Sequence, residues 1–324
     1  MSKNETPSHL ENLANPNRRE ALRCGAWVGA GLLWTLSGGV PGAALLSEAA
    51  AATPGTGAAQ AGLSFIQISD THIGFNKPAN PDPLGTLRET IGRIRAMSVP
   101  PSFILHTGDI THLATPGQFD VAQGALSELG LPIHFVPGEH DIADGTNPQP
   151  YLDRFGAGSR GEGSYSFDAQ GVHFIGLVNV VRLRDRGLGG LGEEQIAWLR
   201  DDVAHLQAST PIVVFAHMPL WALYPDWGWG TEDAAPALSV LSRFGSVTVL
   251  NGHIHQIQQQ VEGNVTFHTA RSTAYPQPAP GVGAGPGPLP LPADQLRTAI
   301  GISSVAVHRG GGSLAITDLP LALL

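Results

Sequence analysis

Five short apolar runs in this chain end in the same way. LSFIQISD (63–70), SFILHTGD (102–109), LPIHFVPGEHD (131–141), PIVVFAH (211–217) and SVTVLNGHIH (246–255) each pass from strand-forming residues straight into Asp, Glu or His. Apolar runs of this length bounded by turn residues read as strands buried on both faces. Between them, Leu87, Ile91, Ile94 and Met97 recur at helical spacing, as do Phe119, Ala122, Leu126 and Leu129, and later Ile196, Leu199, Val203 and Leu206. Strands alternating with amphipathic helices predict an α/β fold, its sheets buried between helical layers. SYSFD (164–168), VHFIGLVN (172–179) and NVTFHTA (264–270) read as further strands, and residues 300–319 as a hairpin turning at Gly310–Gly312. The Pro/Gly-rich segment 277–292 reads as an irregular loop. No repeat or linker interrupts residues 63–324, which are expected to form a single domain.

The chain has 324 residues, enough for a substantial core, and a net charge of -9. Nucleic acid is therefore not an expected partner, since its binders need a basic footprint. Cys24 is the sole cysteine, so no disulfide forms within the chain.

Residues 1–52 read as an export signal rather than as part of the fold. NRREALR (17–23) precedes an uncharged run, Cys24–Ser47, and then an Ala-rich stretch, which is the order of a charged region, an apolar region and a small-residue cleavage site. The Arg18–Arg19 pair resembles a twin-arginine signal, although Asn17 and Ala21 depart from the usual pattern. The uncharged run is long enough to span a bilayer, but six glycines and Pro41 make it weakly hydrophobic and poorly helical. The expectation is cleavage near Ala50–Ala52, no stable membrane anchor, a flexible leader over 53–62, passage through the twin-arginine export machinery, and a periplasmic or secreted product.

Each strand end carries a metal-type donor: Asp70 and His72, Asp109, Glu139 with His140 and Asp141, His217, and His253 with His255. In open α/β sheets the carboxyl edge of the strands is where ligands bind. Glycine precedes three of these groups and lets the backbone bring a ligand close to an ion. Carboxylates and imidazoles without thiolates suit Mn, Fe or Zn.

Taken in order, Asp70-x-His72, Gly108-Asp109, Gly138-x-His140-Asp141, His217 and Gly252-His253-x-His255 resemble the calcineurin-like metallophosphoesterase family, in particular its class III cyclic nucleotide phosphodiesterase branch. The resemblance runs from about Leu63 to the end of the chain. It implies a four-layer αββα sandwich with two divalent or mixed-valence metal ions at its edge. By position, Asp70, His72, Asp109 and His255 would hold one ion, and Asp109, Glu139, His217 and His253 the other. A hydroxide bridging the ions would attack a small phosphate-ester substrate, a diester in preference to a monoester. His140 would stabilise the phosphate or protonate the leaving oxygen, and Asp141 would orient an imidazole or a backbone turn. The family usually has asparagine where this chain has Glu139. Three readings of that position compete: Glu139 ligates the second ion, swings away and weakens that site, or serves another role. A phosphomonoesterase and a catalytically degenerate metal-binding protein are the alternatives. His112 could face substrate or be structural; Trp221, Tyr224, Trp227 and Trp229 could wall a pocket or simply pack on the body of the protein; Arg182, Arg184 and Arg186 read as a solvated loop.

Overall fold

A computed structural model describes residues 62–307 and 314–324 throughout and residues 32–37 and 40–45 as backbone. Arg18–Arg19, Cys24, the expected cleavage region, leader residues 53–61 and the hairpin tip Gly310–Gly312 lie outside the described residues.

In chain order the elements are β1 (Leu32–Ser37), β2 (Val40–Leu45), β3 (Ser64–Ile68), α1 (Pro83–Arg95), β4 (Ile104–His106), α2 (Pro116–Ser127), β5 (Ile133–Phe135), α3 (Gln149–Phe155), β6 (Tyr165–Ala169), β7 (Val172–Gly176), α4 (Glu193–Val203), β8 (Ile212–Phe215), α5 (Ala234–Leu241), β9 (Val247–Asn251), β10 (Gln259–Glu262), β11 (Val265–Thr269), α6 (Ala293–Ala299), β12 (Gly301–Val307) and β13 (Leu314–Pro320). One sheet has the order β2-β1-β13-β12-β3-β4-β5 and the other β10-β11-β9-β8-β7-β6. Strands β3, β4 and β5 run parallel, as do β7, β8, β9 and β11. Helix crossovers cover the outer faces of such strands, so their sequences are almost continuously apolar.

Alternate residues divide the core into layers. Ile66, Ile68 and Ile104 face outward onto Leu87, Ile91, Phe119 and Leu126 of α1 and α2. Phe65, Leu105, Val213, Phe215 and Leu250 meet between the sheets. Ile212, Val214 and Val249 face Leu199, Val203, Ala237 and Leu241 of α4 and α5. The result is the expected four-layer αββα sandwich.

Helix starts follow their caps. Asp82 accepts from the Gly85 N–H at 2.8 Å ahead of α1, and Thr115 from the Gln118 N–H at 3.3 Å ahead of α2, each with Pro at the first helical position. Both helices end two residues before the last apolar residue of their pattern. Met97 and Leu129 nevertheless join the same core from the turns that follow. Elements α3, α5, α6 and β10 carry no periodicity long enough to announce themselves in sequence. Segment 277–292 has no helix or strand, as expected.

Within the expected export segment, β1 and β2 pair as an antiparallel hairpin, and β1 pairs with the outer edge of β13. They lie three strands or more from β3, where the first candidate ligands begin. Among the described residues no helix is long and apolar enough to cross a membrane.

Candidate metal centre

The loops after β3, β4, β5, β8 and β9 converge on one rim of the sandwich. The β3 and β4 loops are zipped by Asp70 N–H to Gly108 O at 3.0 Å and His72 N–H to Asp109 O at 2.9 Å. The second sheet joins through His217 Nδ1–H, which donates to Thr107 O at 2.7 Å, and His253 N–H, which donates to Asp70 Oδ1 at 3.2 Å. Five of these residues hold left-handed backbone: Asp70 (φ 54°), His72 (42°), Asp109 (53°), His253 (70°) and His255 (53°). Crowding accounts for all three glycines: a Cβ on Gly108 would sit 2.5 Å from His217 Nδ1. A Cβ on Gly138 would sit 2.0 Å from Asp109 Oδ1, and one on Gly252 would sit 2.7 Å from Asp70 Oδ2.

Two adjacent donor clusters result. Asp70, His72, Asp109 and His255 form a buried group in which one ligand atom from each lies within 4.8 Å of the others. Glu139, His217 and His253 form a second by the same measure. Asp109 Oδ2 is 3.4 Å from His72 Nε2 and 3.4 Å from His217 Nε2, so a single oxygen stands between the clusters. The Glu139 carboxylate does not swing away. Its Oε2 is 2.9 Å from His217 Nε2 and its Oε1 is 3.0 Å from His253 Nδ1.

Backbone carbonyls fix which ring nitrogens face the clusters. His217 Nδ1–H is committed to Thr107 O, and His255 Nδ1–H donates to Tyr275 O at 2.6 Å. In neutral imidazoles the two Nε2 atoms therefore carry lone pairs. His217 Nε2 then points its lone pair at carboxylate oxygens, and His255 Nε2 lies 3.2 Å from both Asp70 Oδ1 and His72 Nε2. Asp70 Oδ2, Glu139 Oε2, His217 Nε2 and both ring nitrogens of His253 are buried without a hydrogen bond. Lone pairs facing lone pairs among buried atoms call for cations between them. Without them a proton substitutes. Burial alone would depress His217, but the carboxylates of Asp109 and Glu139 hold it well above its ordinary value. Burial likewise works to raise Glu139, yet the His253 and His217 imidazoles hold it well below the carboxylate range. His72, by contrast, is driven well down by burial and then by the imidazoles of His140, His255 and His112.

His140 stands beside both clusters. Its Nδ1–H donates to His112 O at 2.8 Å, which leaves Nε2 free. Burial opposes protonation, but the Asp109 and Glu139 carboxylates raise the imidazole above its ordinary value. Asp141 orients a backbone turn, not an imidazole. Its carboxylate accepts from the N–H groups of Ile110, Thr111 and Gly138 and from the Thr111 hydroxyl, at 2.8–3.0 Å. His112 stacks on His140 with ring centroids 4.8 Å apart, and its Nδ1 lies 3.5 Å from His72 Nδ1. Burial, then the neighbouring His140, lowers it to about 4.

The aromatic loop packs on the body of the protein. Trp229 is buried, and Trp221 packs at a tilt against Phe267 in the outer core. Arg182, Arg184 and Arg186 pair with Glu162, Glu232 and Asp226 on exposed loops. Sequence reasoning missed Tyr275. Its carbonyl fixes His255, and its ring lies 4.8 Å from His72, 4.7 Å from His255 and 4.3 Å from Phe75. It also missed Gln277, whose amide donates to His253 O at 2.9 Å.

A family profile described as calcineurin-like phosphoesterase matches residues 63–257. A probable cyclic nucleotide phosphodiesterase of Synechococcus is 28% identical over 226 residues, covering 65% of this chain and 81% of its own. A 3',5'-cyclic-nucleotide phosphodiesterase of Nostoc is 25% identical over 219 residues, covering 66% and 79%. A probable glycerophosphodiester phosphodiesterase of Arcobacter nitrofigilis is 24% identical over 227 residues, with the same coverage of 66% and 79%. Among solved structures, a dimetal phosphatase from Danio rerio superposes with a TM-score of 0.60 at 15% identity, covering 81% of this chain and all of that one. A purple acid phosphatase from yellow lupin superposes at 0.56 and 12% identity, covering 77% and 50%. At these identities the two structures establish likeness of fold.

Proposed function

The chain belongs to the calcineurin-like phosphoesterases, a family of metal-dependent phosphoric ester hydrolases, and from that premise we propose that it is a dinuclear phosphodiesterase exported before it acts. The observation that carries the dinuclear reading is the Asp109 Oδ2 atom, which is 3.4 Å from the Nε2 atoms of His72 and His217 and so stands between two donor clusters. Asp70, His72, Asp109 and His255 would hold one ion, and Asp109, Glu139, His217 and His253 the other. Mn, Fe or Zn fits this donor set. Bound divalent ions supply charge that polarises a phosphoryl group and acidifies the attacking water.

The chain's own residues do the rest. Asp109 would be the donor common to both ions, and Asp141 holds the turns carrying Asp109 and Glu139 through backbone N–H groups, so the donors are positioned before substrate arrives. His140, its Nδ1–H tied to His112 O, stands beside Asp109 and Glu139, whose carboxylates favour its charged form against burial. In that form it can donate a proton to the leaving oxygen. The preference for diesters is supported by the curated relatives, whose names include cyclic nucleotide and glycerophosphodiester phosphodiesterases. Export by the twin-arginine route is supported by Arg18–Arg19 ahead of an uncharged run. That route carries folded proteins, so ions could be loaded in the cytoplasm.

The test is elemental analysis of protein purified without chelators, followed by hydrolysis of bis(p-nitrophenyl) phosphate and p-nitrophenyl phosphate. Two ions per chain and faster diester hydrolysis are expected. One ion per chain sinks the dinuclear reading, and monoester preference sinks the substrate class. Cell fractionation of the natural chain and an Arg18→Lys/Arg19→Lys variant tests export: the variant should accumulate in the cytoplasm, and equal export of both would refute the route.

A further inference from the structure

Strand β7 runs parallel to β8 and β9, yet no Asp, Glu or His follows its end. The chain continues through Leu177 and Val178 to Asn179, a buried residue outside both donor clusters. The Asn179 amide pairs with the backbone of a single residue, as a neighbouring strand would. Its Oδ1 accepts Met218 N–H at 3.2 Å, and its Nδ2 donates to Met218 O at 2.9 Å. Nδ2 also donates to the Thr231 hydroxyl at 2.9 Å, and that hydroxyl donates in turn to Pro219 O at 2.9 Å. Met218 directly follows His217. From the other side comes Asn251, also buried, the last residue of β9. Its Nδ2 donates to Ala216 O and to Met218 O, each at 2.9 Å, so one amide group spans the carbonyls on both sides of His217. Carbonyls only accept, so both amides are fixed with nitrogen toward Met218 O.

Strand β8 ends at Phe215, and beyond it these side-chain amides take over from the ladder. What they hold is a donor whose placement matters. Metal–ligand distances are tolerant to about 0.2 Å, and a turn free to shift further would spoil the site. The second cluster is narrowly set: Glu139 lies 2.9 Å from His217 Nε2 and 3.0 Å from His253 Nδ1, and the two rings meet at 75° with centroids 5.2 Å apart. Asn251 precedes His253 by two residues. The side chain that brackets His217 therefore belongs to the turn that carries His253. The first cluster has tethers of its own: His255 on Tyr275 O, Asp70 on Gly108 O and His72 on Asp109 O. The asparagine clamp thus bears on the second cluster.

We propose that Asn179, acting with Asn251 through the backbone of Met218, is a positioning residue that sets His217 Nε2 for the second ion. This rests on the dinuclear reading above. Asn179→Ala releases Met218 and removes no candidate ligand. The experiment is stepwise titration of chelated protein with zinc against a competing indicator. In the variant the second step should weaken about ten- to a hundredfold, the usual effect of losing a group that orients a metal ligand, while the first step holds. Thr231→Val keeps the side chain's shape and removes only the hydroxyl that anchors Asn179. It should weaken the second step by less, and it decides the matter if Asn179→Ala does not fold. Amide hydrogen exchange is the independent readout: Met218 N–H should be protected in the natural chain and exchange faster in Asn179→Ala. A second step unmoved in the folded variants, or both steps weakened alike, would overturn the role of Asn179 while two steps in the natural chain left the dinuclear site standing. Fast exchange of Met218 N–H in the natural chain would overturn the clamp. A single zinc step in the natural chain would overturn the dinuclear reading itself, and the proposal with it.

Discussion

Replacing Glu139 by Gln isolates one charge. Glutamine has the same length and keeps an oxygen donor, but it removes the anion that sits 2.9 Å from His217 Nε2 and 3.0 Å from His253 Nδ1. Two unit charges about 4 Å apart interact by about 4 kcal/mol at an effective dielectric of about 20, and a divalent ion has twice the charge. Against this stands the cost of holding the carboxylate away from water, several kcal/mol for a fully buried ion. With 23% of the Glu139 side chain still exposed, that cost is incomplete. A net loss of about 3 kcal/mol follows, roughly a hundredfold in the dissociation constant of the second ion at about 1.4 kcal/mol per decade. The assay is stepwise metal titration of chelated protein against a competing indicator. The natural chain should show two binding steps; in the variant the second should weaken about a hundredfold while the first holds. A second signature comes from His217, which without the ion is held protonated well above its ordinary 6.5 by Asp109 and Glu139, against burial. Ion binding must expel that proton, so second-ion affinity should fall as pH is lowered, and less steeply in Glu139→Gln. An unmoved second step would refute the reasoning, since the charge would then not be acting on an ion. Equal weakening of both steps would mean that the substitution had disturbed the fold instead.

Asp109→Asn should reduce both ions' affinity together, whereas His255→Asn should weaken the first far more than the second; metal counts from dialysed protein would check both. His140→Ala should lower kcat by about 10²–10⁴, the usual range for losing a general acid, with metal content unchanged. Asp141→Ala would strand the N–H groups of Ile110, Thr111 and Gly138, so chemical denaturation should show a loss of about 3–5 kcal/mol. Away from the metal centre, His173 bridges Asp168 and Asp202 at 2.8 and 2.9 Å, and despite burial these partners raise its pKa. Its folded value exceeds the unfolded 6.5, so its contribution is complete below that pH and is lost as pH rises through the folded value. Melting temperature should decline over that interval, and His173→Gln should flatten the decline.

Much of this centre was legible because its donors are side chains placed where a strand's apolar pattern stops. Asp70, Asp109 and His217 each follow a buried run by no more than three residues, and the parallel strands bring those ends to one rim. The four layers were legible from the same alternation, with Phe65 and Ile66 pointing to opposite faces. What escaped were contributions that side-chain chemistry does not advertise. Tyr275 acts on His255 through a carbonyl that any residue has, and only the turn built on Ser272 brings it back. Asp141 could have been assigned to an imidazole or a turn, and only three backbone N–H directions decide between them. The short α5 and β10 lack the length over which a period can be recognised.

The left-handed backbone at Asp70, His72, Asp109, His253 and His255 has an evolutionary consequence. Each such non-glycine residue costs on the order of 1 kcal/mol or more, so the five together rival the whole net stability of an ordinary domain. Glycine at any of them would relax the chain while removing a donor. Selection on heat tolerance alone would therefore erode these donors, and directed-evolution libraries scored only on expression would drift the same way. A lineage that keeps all five must be screened, in nature or in the laboratory, on what the rim does.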